Sequence, residues 1–170
     1  MNPAAHVDPI GTILFPLLGM LSPVPILGWA KPVPVNTLNL RHHWKQKFMV
    51  IAAAGPASNL VLAALAAVAF RAVGEIVSPD GEGMAMTFLA SMIQTNVVLA
   101  VFNMVPVPPL DGGNVLAGVL RGSVADLFER IRPYGFLILY GLMFSGMLWT
   151  LVLPPARLIM AALRVVAPSL

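Results

Sequence analysis

The chain has no cysteine, and only 10% of its 170 residues are charged. The first absence excludes disulfides, thiolate metal sites and cysteine nucleophiles. The second argues against a soluble globular domain, in which about a quarter of residues carry charge. The first nine residues hold no basic run and contain two prolines, Pro3 and Pro9, so they do not read as a signal peptide. Internal repeats and low-complexity tracts are also missing.

What is present is apolar. Hydrophobic residues make up 58% of the chain and the mean hydropathy is +0.86, values that point to lipid as the main solvent. Four stretches are long enough to cross a bilayer, at 10–29, 48–73, 84–105 and 134–153. The expected fold class is therefore an all-α membrane protein, a polytopic helical bundle of about four spanning segments in a single domain. A short extended element is expected at 30–36, where Pro32 and Pro34 alternate with Val33 and Val35. Such an edge could pair with an unfolded substrate segment by strand addition, or serve only as a stiff connector.

Net charge is +3 and the pI about 9.8. The cations Lys31, Arg41, Lys45 and Lys47 cluster in one loop, as in a cytoplasmic membrane loop, so the bilayer and not nucleic acid is the expected partner. His42 and His43 sit within that cluster, a setting that suits lipid headgroups better than a metal. Residues 74–83 form a short acidic loop expected on the opposite side.

Several polar residues fall within apolar stretches. Asn59 follows a run of small residues and Pro56, and is expected to join helices or face a cavity. Asn96 and Asn103 share a helix face turned into the bundle. Asp126 and Arg130 have the spacing of a weak helical ion pair. Pro154 and Pro155 are expected to close the last spanning helix, with 156–166 lying flat at the interface, Arg157 and Arg164 on one edge. Near the start, Asp8 reads as a helix cap followed by Pro9. His6 and Asp8 could also line a site, and neither is assigned a role.

The most informative stretch is 103–114, NMVPVPPLDGGN. Pro106, Pro108 and Pro109 stop a helix, and Asp111 is the one acid in a long apolar neighbourhood. A carboxylate there is costly unless it pairs, binds an ion or faces a polar cavity. Asp111 can be read as a cap for a helix beginning at Gly112, or as a ligand.

The pattern N-x-x-P-x-P-x-L-D-G from Asn103 to Gly112 resembles the second active-site motif of the site-2 protease family, intramembrane zinc metalloproteases. NPAAHVDPIGT (2–12), GWAKPVPVN (28–36) and AGPASN (54–59) resemble blocks of the same family in the same order. The resemblance implies a zinc-dependent endopeptidase acting in regulated intramembrane proteolysis. Asp111 would be a zinc ligand, and Asn103 would polarise the scissile carbonyl as an oxyanion donor. Zn2+ is the implied cofactor. A transmembrane protein is the implied substrate, a plasma membrane the implied location, and self-association is left open.

The family's other two ligands and its general base come from H-E-x-x-H on an apolar helix. That motif is missing from these 170 residues: His6, His42 and His43 have no such spacing. The chain is thus expected to be a C-terminal portion, N-terminally truncated and inactive as it stands. The alternative is a non-catalytic membrane protein of the same fold that binds membrane substrates or partners.

Overall fold

A computed structural model describes residues 44–76 and 83–167. The first expected span, the extended element at 30–36 and the residues His6, Asp8, His42 and His43 lie outside the described residues, as does most of the acidic loop.

The described residues are helical, with no strand among them. The first helix, α1, runs Trp44–Ile76, and α2 runs Met84–Asn103. Two short helices follow, α3 at Asp111–Val119 and α4 at Ser123–Ile131. A single 3-10 turn at Arg132–Tyr134 leads into α5, Gly135–Phe144. The last helix is α6, Met147–Leu163.

These helices pack with small side chains inside and large ones outside. On α1 the buried positions are mostly alanines, Ala52, Ala63, Ala66 and Ala67, with Phe70. Val50, Ile51, Val61, Leu65 and Val68 point outward and are exposed. In water this arrangement would leave a large sticky surface; in lipid it lets backbones approach while the long side chains meet acyl tails. Ile93 and Val97 of α2 and Ala156 of α6 complete the core. Both Lys45–Gly74 and Met84–Asn103 are long and apolar enough to cross a membrane. The protein is a helical membrane protein.

Three close approaches fix how the chain returns along α1. Gly74 lies against Met86, Gly55 against Asp111, and Gly118 against Met49 and Lys45. Thus α2, the segment after it and α3 run antiparallel to α1, one after another. At 1.5 Å per residue, Asp111 sits about 15 Å along α1 from Lys45.

The chain departs from its sequence reading in four places. The apolar stretch at 134–153 is not one helix. It breaks at Ser145–Gly146, where Gly146 adopts φ 75°, and the flanking helical pair is bent by 79°. A left-handed residue cannot continue a right-handed helix, and glycine bears it at least cost. Beyond the break, α6 continues through Pro154 and Pro155 to Leu163, so 156–166 is no separate interfacial helix. Prolines are tolerated in membrane helices when packing holds the turn; Pro155 and Ala156 pack inward.

The Asp126–Arg130 pair is also not formed among the described residues. Arg132 instead reaches Glu129 at 3.3 Å and Asn114 Oδ1 at 2.7 Å, two partners against the single exposed one offered to Arg130. Finally, Asp111 does not cap a helix beginning at Gly112, as the next section describes.

Candidate functional site

The motif segment 103–114 folds as a chain of tight turns between α2 and α3. The Met104 amide still donates to Ala100 and Val101, and Val105 to Phe102. Pro106 then ends the helix pattern. Val107 N donates to Val105 O at 2.8 Å, and Leu110 N to Val107 O at 3.0 Å, across the cis Pro108–Pro109 bond. The prolines have no donors to satisfy, so three turns form without stranding backbone N–H groups in an apolar setting.

Gly112 and Gly113 are buried because this turn folds back on them. A Cβ on Gly112 would overlap the Met104 carbonyl, and one on Gly113 would lie 2.7 Å from Pro108 N and 2.9 Å from Val107 C. Only glycine allows backbone to approach backbone so closely. Pro108 packs in turn on Gly135 at the start of α5. The L-D-G-G sequence is therefore the clasp that sets where α3 begins.

The helix α3 begins at Asp111 itself, with Leu110 as the N-cap and no side-chain cap hydrogen bond. The carboxylate is thus not spent on capping, which corrects the helix-cap reading. Asp111 occupies the first helical position, where the helix dipole favours a negative charge. Its Oδ2 lies against α1 at Gly55, 3.0 Å from where a Cβ would stand. Among the described residues, the Asp111 carboxylate makes no hydrogen bond or ion pair. A half-buried acid with no partner among the described residues, held among membrane-length helices, is costly unless a cation or a polar group meets it.

Asn103 is the last residue of α2, half-buried. Its Nδ2 donates to Leu99 O at 2.9 Å. One amide hydrogen and the side-chain oxygen remain for other partners. Asn96 makes the equivalent bond to Met92 O at 2.8 Å. Asn59, half-buried on α1, is turned neither fully outward nor into the core.

Beside the motif lies a cavity of about 400 Å³, lined by Pro56, Leu60, Val101, Met104, Pro106 and Leu151 among others. Its walls are apolar, so it can hold an apolar chain and exclude water next to Asp111's neighbourhood. Sequence reasoning missed Gly55 as the residue facing Asp111, treating it as one of several small packing residues. The signal was there: Gly-Pro within a helix costs stability and marks a close approach.

Among the described residues, no group of three or more histidine, aspartate or glutamate side chains could hold a metal ion. Catalytic zinc takes three protein ligands and leaves an open position. The described residues therefore fit one ligand of such a site, Asp111, and do not fit a complete one.

Comparison with known proteins follows the same line. The family described as Peptidase family M50 matches residues 72–146, which include Asn103 and Asp111. "Putative zinc metalloprotease YwhC" of Bacillus subtilis is 34% identical over 145 residues, 81% of this chain and 61% of that protein. "Putative zinc metalloprotease Rip2" of Mycolicibacterium smegmatis is 28% identical over 148 residues, 85% of this chain and 53% of that protein. The chain thus spans little more than half the length of these relatives. No solved structure gives a significant match.

Proposed function

We propose, for a chain that belongs to the site-2 protease family, peptidase family M50, that it forms part of a zinc-dependent endopeptidase cleaving transmembrane protein substrates within a cell membrane. The observation that carries this reading is the carboxylate of Asp111, without a partner among the described residues, against Gly55 and clasped at the start of α3 by a turn of three prolines.

Each residue then has a task. Asp111 supplies one metal ligand, and the Gly112–Gly113 clasp fixes where that ligand points. Gly55 leaves the space the carboxylate needs. Asn103 offers its remaining amide hydrogen to the carbonyl oxygen of a substrate peptide, where negative charge grows during attack. The apolar cavity beside Met104 and Pro106 keeps water from the surroundings. When bound, zinc supplies an activated water for peptide hydrolysis. Two histidine ligands and a glutamate base would come from an H-E-x-x-H helix outside these 170 residues, because the motif does not occur within them.

The test is made on the whole gene product. An in-frame helix with H-E-x-x-H encoded upstream of Met1 is expected, and Asp111→Ala in that product should lose zinc and proteolysis together. Proteolysis that survives Asp111→Ala overturns the ligand assignment. A gene product without H-E-x-x-H moves the protein to the non-catalytic, substrate-binding reading.

A further inference from the structure

We propose that Arg132 is a positioning residue for Asp111: the turn at 132–135 grips the chain three residues to either side of that aspartate and so fixes where its carboxylate points. The carboxylate has no hydrogen bond or ion pair among the described residues, so its direction follows the backbone that carries it. That backbone opens a helix of only nine residues, a length at which packing against neighbours, not the helix itself, holds the element in place.

The first grip lies before Asp111. A Cβ on Gly135 would overlap the carbonyl and ring of Pro108, so backbone rests directly on backbone there. The second grip lies after it. Arg132 Nη2 donates to Asn114 Oδ1 at 2.7 Å, and Asn114 stands one helical turn beyond Asp111. Nη1 of the same guanidinium meets both carboxylate oxygens of Glu129 at 3.3 Å. The exposed Glu129 pair contributes little stability by itself; its part is to hold the guanidinium fork towards Asn114. The Asn114 bond is half-buried, where water competes less and a hydrogen bond counts for more.

Both grips come from one stiff piece. Arg132–Tyr134 is a 3-10 turn with Pro133 inside it, closed by the Gly135 amide on Arg132 O. Residues three apart in such a turn lie above one another, so Arg132 and Gly135 share an edge. The stretch that edge meets, from Pro108 to Asn114, is centred on Asp111. Loss of the Arg132 bond frees the far side of this stretch, and α3 can then turn and carry the carboxylate away from Gly55. The consequence for a metal rests on the reading of Asp111 as a ligand; the grip itself does not.

The experiment reads the position of residue 111 without metal, in the full gene product. Asp111 Cγ stands 3.9 Å from a Cβ built on Gly55, so thiols from Gly55→Cys and Asp111→Cys are near enough to pair. The rate of disulfide formation, followed by mass spectrometry of the linked peptides, then reports the grip. Adding Arg132→Gln should slow it about tenfold, the bias one charge-assisted hydrogen bond gives. Asn114→Ala should slow it equally, and the two together no further, since they remove one interaction. Asn114→Asp, whose oxygen accepts the same bond, should keep the parent rate, as should Arg130→Gln on the neighbouring helix. An unchanged rate in Arg132→Gln overturns the proposal. So does slowing by Arg132→Gln with none by Asn114→Ala, which would make the arginine a matter of general folding; if Arg132→Gln does not fold, Asn114→Ala with its Asn114→Asp rescue decides alone. With Gly55 and Asp111 restored, Arg132→Gln should weaken zinc affinity about tenfold, the low end for groups that orient a ligand from outside. Slowed pairing with unchanged zinc affinity would keep the grip and overturn Asp111 as the ligand.

Discussion

Position 55 is where one methyl group separates stability from function. Alanine is favoured over glycine inside a helix by about 1 kcal/mol, yet a Cβ there would stand 3.0 Å from Asp111 Oδ2 and push the carboxylate aside. Gly55→Ala is therefore expected to hold or raise the thermal midpoint of the detergent-solubilised protein while cutting zinc retention and proteolysis roughly tenfold or more. Unchanged activity would show that Asp111 works from some other position. The carboxylate itself is the converse case. An unpartnered charge among membrane helices is a cost until a cation answers it. Asp111→Asn should thus melt higher than wild type when both are stripped of metal by a chelator, and the order should reverse when zinc is restored to the whole gene product. Asp111 was visible in the sequence as an acid out of place. Its partner surface was not, because nothing in A-G-P-A-S-N says which face of a continuous helix an aspartate some fifty residues away will meet.

At the scale of elements, two glycine sites are expected to respond differently. Gly113→Ala puts a Cβ 2.7 Å from Pro108 N and 2.9 Å from Val107 C, backbone atoms that cannot step away. It should cost about 1–3 kcal/mol, the range for overpacking, and shift the start of α3 enough to abolish zinc retention. Gly146→Ala meets nothing within 4 Å and suffers only from its φ of 75°. It should cost about 1 kcal/mol and leave the motif segment intact, as read by thermal unfolding beside zinc retention. The elements also show what local sequence could and could not tell. The helix expected from Met84 ends at Asn103 with the first motif residue, since Pro106 forbids its continuation. The break at Ser145–Gly146 was signalled by a Ser-Gly pair hidden in an otherwise even apolar run. The path of α6 through Pro154 and Pro155 was not signalled at all, because proline's penalty depends on whether neighbouring helices hold the turn together, which is a property of the packed bundle.

At the scale of the whole molecule, the absence of cysteine makes topology directly measurable. Lys47→Cys and Gly74→Cys stand near opposite ends of Lys45–Gly74, so a membrane-impermeant thiol reagent should label each from a different side. Labelling of both from one side would mean that α1 does not cross. The same helix has a further consequence. Its 30 residues extend about 45 Å, close to the full thickness of a bilayer with its headgroups and about 15 Å more than the hydrocarbon alone. If Lys45 rests among headgroups, Asp111 lies only about 7 Å beneath the hydrocarbon boundary. Hydrophobic mismatch then acts on the acid itself: shorter acyl chains bring wet headgroups towards it, and longer chains bury it deeper. Lipid chain length becomes a dial on how dry Asp111 is.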